Sequence, residues 1–197
     1  MAALAWMFDC LDQQLFIIAR NFALEDLMKG AAPETIKAWS GYTTTFFVLG
    51  WATGGLIFGA VGDRIGRAKT LALTVLLYSV FTGLSAFSKN HIDFSVYRFI
   101  TGLGVGGVFG LAVALVADGL PDASRPHALG LLQALSAVGN VTAGIIAVVM
   151  GMWLAGNAPS VTGVTDAVVS NPWRALFLIG ALPAFLCVFM QFRLKEP

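Results

Sequence analysis

Charge is what this sequence lacks most. Asp, Glu, Lys and Arg make up 12% of its 197 residues, against about 25% in a typical soluble domain. A soluble fold would need a large core with very few charges to cover it. The net charge of +1 leaves no basic field for a nucleic-acid partner. Cysteine and histidine are equally scarce. Cys10 and Cys187 lie in apolar runs at no metal-ligand or disulfide-framework spacing. His91 and His127 are isolated and read as ordinary loop residues. No Ser-His, Cys-His or His-acid arrangement is legible, so neither an enzyme nor a bound cofactor or metal is expected. A basic segment ahead of the first apolar run, which a secretory signal would want, is also missing. What remains is 57% hydrophobic, with 15 Phe and 22 Gly, a membrane profile.

Apolar runs of about 20 residues can cross a bilayer core as helix. Six such runs are readable, at about 2–19, 39–58, 70–88, 94–117, 128–154 and 173–191. The expected fold is therefore an all-α membrane protein, a bundle of six transmembrane helices with both ends on one side. The densest charged link is Gly59 to Lys69, whose glycines suit a tight turn. Arg64, Arg67 and Lys69 suit anionic headgroups there, and Asp63 can pair with a basic neighbour or cap a helix. Residues 20–38 read as a loop with a short surface helix. Run 70–88 is the plainest and reads as lipid-facing. The short link Lys89–Asp93 makes its flanking runs antiparallel neighbours. Pro121 and Pro126 stop and restart the chain after Asp118, and 155–172 is a longer loop. Trp173 and Arg174 read as interface anchors, and Pro183 as a bend. Six basic residues fall on each side, so orientation stays open on charge alone.

Polar residues inside the runs are the functional candidates. Asp9 and Asp12 share one helix face, with Gln13 beside Asp9 and Leu4, Leu11, Leu15 and Ile18 on the apolar side. A carboxylate at membrane depth is costly and should face protein or a water-filled cavity. Two readings stay open: a proton-titrating or substrate-facing acid, or an acid near a membrane surface. Arg98 should either snorkel to the interface or pair with an acid inside the bundle. Gln133, Ser136 and Asn140 follow a three-and-four spacing, which serves equally as interhelical glue or as the wall of a substrate path. Tyr42 to Thr45 offers hydroxyls either to the local helix backbone or to a substrate. Gly50 and Gly54, Gly55 and Gly59, and the stripe Gly102, Gly106 and Gly110 argue for close helix packing. Gly102-Leu103-Gly104 is not a dinucleotide loop, because no strand precedes it.

Taken together, the motifs resemble the amino-terminal half of a major facilitator superfamily transporter. Gly59 to Lys69 matches that family's signature loop between helices two and three, with Ala68 at an often basic position. Arg98 to Gly107 resembles its fourth-helix motif. Ala117 to Pro121, Arg125, Gly130, Gly139-Asn140, and Pro172 to Pro183 are similar to the metabolite:proton symporter and sugar-porter-like branches. The resemblance covers essentially the whole chain. It implies a multi-pass protein of the bacterial inner membrane that carries a small organic acid or sugar with a proton by alternating access. It implies a cytoplasmic gate of Asp63, Arg64, Arg67, Asp118 and Arg125, and proton coupling through Asp9 or Asp12, with Arg98. A second six-helix half is then the expected partner, besides substrate, proton and lipid. The alternatives are an efflux carrier and a half-transporter with no transport of its own.

Overall fold

Glycine and proline punctuate this chain more than charge does. The computed structural model describes residues 2–119, 121, 123–156 and 172–191, and every element in them is helical. The order is α1 (Ala2–Leu27), α2 (Pro33–Ile65), α3 (Arg67–Ser85), α4 (His91–Asp118), α5 (Arg125–Gly156) and α6 (Pro172–Gln191). The region expected as a loop with a surface helix, 20–38, is mostly the continuation of α1 and the start of α2. Its charged residues are helix formers, and only Gly30, with φ of 90°, breaks the chain before Pro33 restarts it. The expected loop from Gly59 to Lys69 is likewise almost all helix. One residue, Gly66, separates α2 from α3, with φ of 105°. The Gly66 N–H donates to Gly62 O at 3.1 Å, and the Thr70 hydroxyl donates to Gly66 O at 2.8 Å. His91 and His127 lie in first helical turns, not in loops.

Four helices, α2 to α5, are long and apolar enough to cross a membrane, and α6 has a shorter apolar stretch, Trp173–Leu182, in its described part. Large apolar side chains face outward, among them Leu56, Phe87, Val141 and Met152, the arrangement expected where lipid is the solvent. α1 carries Asp9, Asp12, Gln13 and Gln14 within its apolar run. Its Ala5, Leu11, Leu15, Phe16, Ala19 and Leu24 are all buried, and α1 packs on α2, α4, α5 and α6.

α2 and α4 cross backbone to backbone. A Cβ on Gly50 or Gly54 would run into the carbonyl of Phe99 or Leu103, and one on Gly102 or Gly106 into that of Phe47 or Trp51. Gly55 joins this seam more loosely, with the Gly106 carbonyl 3.5 Å from where its Cβ would be. The expected packing role fails for Gly59 and Gly110, where a Cβ would meet nothing within 4 Å among the described residues. The helices diverge from their crossing, so a four-residue spacing continues past the point of contact.

α3 is not the plain lipid-facing helix that its hydropathy suggests. Leu73, Leu76 and Leu84 are exposed, but Thr70, Thr74, Tyr78, Ser79, Thr82 and Ser85 are buried. Four of these hydroxyls return to backbone carbonyls three or four residues back, which lets a polar face pass inside an apolar helix. Trp173 and Arg174 are also corrected. Trp173 is buried against Phe94 and Phe177 and donates from Nε1 to Asp26 Oδ2 at 3.3 Å. Arg174 donates to Ala86 O at 2.9 Å and Ser88 O at 3.3 Å. They tie α6 to α1 and α3 instead of anchoring in lipid, because their partners are protein groups. α6 continues through Pro183.

Candidate functional site

Arg98 does not snorkel. Its side chain is wholly buried and lies 3.9 Å (Nη1 to Oδ2) from Asp12, which is also wholly buried. Three phenyl rings enclose the guanidinium: Phe177 at 4.8 Å, Phe16 at 5.4 Å and Phe94 at 6.0 Å from ring centroid to Cζ. Each such contact contributes about 0.5–2 kcal/mol. α3 completes the shell. Ser85 Oγ accepts from Arg98 Nε at 3.1 Å and from Nη2 at 2.7 Å, while donating to Phe81 O at 2.7 Å. Thr82 Oγ1 donates to Asp12 Oδ2 at 3.0 Å. Gly180 gives the carboxylate room: a Cβ there would stand 3.0 Å from Asp12 Oδ1. Removing one partner of such a pair costs about 3–5 kcal/mol, because the other charge is left buried alone.

Asp9 stands apart from this pair although it is three residues away. It is fully buried, its Oδ2 accepts from Gln13 Nε2 at 2.9 Å, and its Oδ1 has no hydrogen-bond partner. The two acids of α1 thus have different surroundings, one a buried cation and one a neutral amide. Of the three polar candidates on α5, Ser136 is buried and donates to Gln133 O at 2.7 Å, whereas Gln133 and Asn140 are exposed.

A second cluster lies where α2 and α4 end and α3 begins. Arg67, at the start of α3, donates to Asp63 Oδ1 at 3.2 Å from Nη2 and 3.4 Å from Nε, and to Ala114 O at 3.4 Å. Its Nη1 also pairs with Asp118 at the end of α4. Arg67 is therefore the hub that joins the α2–α3 turn to α4. Arg64, expected in the same network, is exposed and is not brought to either acid among the described residues. Arg125 opens α5.

Thr82, Ser85 and the three phenyl rings are not among the candidates that the sequence singles out. A signal existed: Thr70, Thr74, Tyr78, Thr82 and Ser85 repeat at four, four, four and three residues, one face of a helix.

A family model described as Major Facilitator Superfamily matches residues 3–197. The chain belongs to the major facilitator superfamily. The niacin transporter NiaP of Acinetobacter baylyi is 33% identical over 181 residues, 92% of this chain and 36% of that relative. The cis,cis-muconate transport protein of the same organism is 29% identical over 196 residues, covering 100% of this chain and 42% of the relative. Among solved structures, the proton:xylose symporter XylE bound to 6-bromo-6-deoxy-D-glucose superposes with a TM-score of 0.80 at 19% identity, over 99% of this chain and 43% of that one. The chain thus spans less than half the length of the relatives it matches. These relatives are transporters, not enzymes. The helices among the described residues have the fold of one half of a superfamily member.

Proposed function

We propose that this chain is the amino-terminal half of a two-half secondary carrier in the bacterial inner membrane, which takes up a small organic acid with a proton. The observation that carries the proposal is the ion pair of Asp12 and Arg98 enclosed in an apolar helix bundle. Buried charge is expensive at membrane depth and marks ion pathways in transporters. A proton on Asp12 would remove the Coulombic hold on Arg98 and let α1 shift against α3 and α4. Asp9, with only Gln13 for a partner, is the second proton-coupling candidate. The Asp63, Arg67 and Asp118 cluster would hold one end of the bundle shut and part as the halves rock about a central substrate. Gln13, Gln133, Ser136 and Asn140 are the substrate-path candidates. The names of the niacin and muconate relatives favour an organic acid over a sugar.

The test uses the complete carrier in proteoliposomes. Asp12→Asn and Asp9→Asn, made separately, should each abolish uphill accumulation driven by a proton gradient while leaving substrate counterflow intact. Normal accumulation by both variants would sink the assignment.

A further inference from the structure

Arg20 is the only basic residue of α1, and the proton-coupling reading makes no use of it. Its Nη1 donates to Thr44 Oγ1 on α2 at 2.6 Å, and its Nε is buried with no hydrogen-bond partner. Thr44 in turn donates to Ser40 O at 2.8 Å, and Ser40 Oγ donates to Asn21 Oδ1 at 2.7 Å. The cradle is built from hydroxyls and an amide, so it fixes the guanidinium without neutralising it. Among the described residues no carboxylate pairs with Arg20. The partly buried acid of that end, Asp26, is taken by Lys29 at 2.8 Å and by Trp173.

Position matters as much as pairing. Trp6, Gln13, Ile17 and Arg20 are seven, four and three residues apart, one stripe of α1. Ile17 is 49% exposed, so the stripe includes an edge of α1 that the neighbouring helices leave uncovered. Gln13 lies on it beside Asp9, about 10 Å along the axis from Arg20. α1 exposes only Ile17 and Phe22 among its described large apolar residues.

We propose that Arg20 is the capture site for the carboxylate of the substrate, held ready by Thr44 at the far end of the Gln13 stripe from Trp6. Thr44 occupies Nη1 and Nε is buried, which leaves Nη2 to donate a charge-assisted hydrogen bond to an incoming carboxylate. This rests on the organic-acid reading above. It adds that recognition is of the charged carboxylate and occurs at a place separate from the Asp12 and Arg98 pair.

The experiment measures initial uptake of radiolabelled nicotinate and nicotinamide by the complete carrier in proteoliposomes, for wild type, Arg20→Gln and Arg20→Lys. Loss of a charged hydrogen-bonded contact should raise the nicotinate KM by about 10- to 100-fold in Arg20→Gln. The kcat should hold, and nicotinamide uptake should not change. Arg20→Lys should recover part of the nicotinate affinity. An unchanged nicotinate KM in an otherwise active carrier overturns the site and leaves the organic-acid reading standing. Equal shifts for acid and amide also overturn it, because Arg20 would then shape the fold and not read charge. An effect that vanishes in vesicles lacking phosphatidylglycerol assigns Arg20 to a headgroup and overturns it too. Wild type that accumulates neither nicotinate nor benzoate removes the organic-acid reading and this site together. Should Arg20→Gln fail to reach the membrane, Arg20→Lys decides alone: a shift for the acid only supports the site, and any other result refutes it.

Discussion

Replacing Ser85 with alanine deletes one oxygen from the shell around the buried Arg98 guanidinium. That oxygen takes two hydrogen bonds from Arg98, at 3.1 Å and 2.7 Å, and gives one to Phe81 O, so its capacity is used up. After the change, Nε loses its only acceptor, and Nη2 keeps only a 3.5 Å approach to Phe81 O. Hydrogen bonds to charged groups contribute about 1.5–3 kcal/mol each. The lost methylene-sized volume is nil, because alanine keeps the Cβ. A destabilisation of about 2–4 kcal/mol is expected, nearly all of it routed through Arg98. The assay is a double-mutant cycle on unfolding in mixed detergent, with Ser85→Ala, Arg98→Met and the pair. If Ser85 acts by holding the guanidinium, the pair should be little worse than Arg98→Met alone, a coupling of about 2 kcal/mol or more. A cost below about 0.5 kcal/mol for Ser85→Ala, or additive behaviour, would refute the reasoning.

Other expectations follow from the same geometry. Gly54→Leu should cost at least about 3 kcal/mol or prevent folding, since its side chain meets the Leu103 backbone. Gly59→Ala and Gly110→Ala should be neutral or stabilising by up to about 1 kcal/mol, because nothing opposes a methyl there and Ala favours helix; thermal melts of the three variants compare them directly. Trp173→Phe keeps the ring in its aromatic cluster and loses only the bond to Asp26, a loss of about 1 kcal/mol, while Trp173→Ala should lose about 3–5 kcal/mol; a Phe variant as weak as the Ala variant would contradict this. Arg67→Ala should change stability by less than about 1 kcal/mol, since both its acids are more than half exposed. It should nevertheless speed amide hydrogen exchange in the last turn of α4, which unchanged exchange would disprove.

The architecture was legible because a bilayer leaves few options. Apolar runs at membrane depth satisfy their backbone groups most simply as helix, and every element among the described residues is helical. Their ends were less legible. Charge suggests loops at 20–38 and 59–69, yet charged residues are good helix formers outside the hydrocarbon, and α1 and α2 continue through most of them. Gly66 alone makes the α2–α3 turn, and no local feature of the sequence separates it from Gly59 or Gly62.

The candidate site divides in the same way. That Asp9, Asp12 and Arg98 lie inside apolar runs is a property of the sequence, and it was enough to single them out. Which acid faces the arginine was decided only by tertiary structure. The two carboxylates are three residues apart, about 60° around the helix axis, and that rotation directs Asp12 toward Thr82 and Arg98 and leaves Asp9 with Gln13. Gly50, Gly54, Gly102 and Gly106 were visible as spacings, but only the crossing of α2 on α4 separates them from Gly59 and Gly110. Hydropathy hid the polar face of α3, since a hydroxyl bonded to its own backbone costs little in an apolar helix. The sequence by itself therefore determined the bilayer as solvent, the helices and the few charges buried within them. Tertiary packing alone decided which of those charges meet, because the rotation of each helix is set by the shapes of its neighbours and not by its own residues.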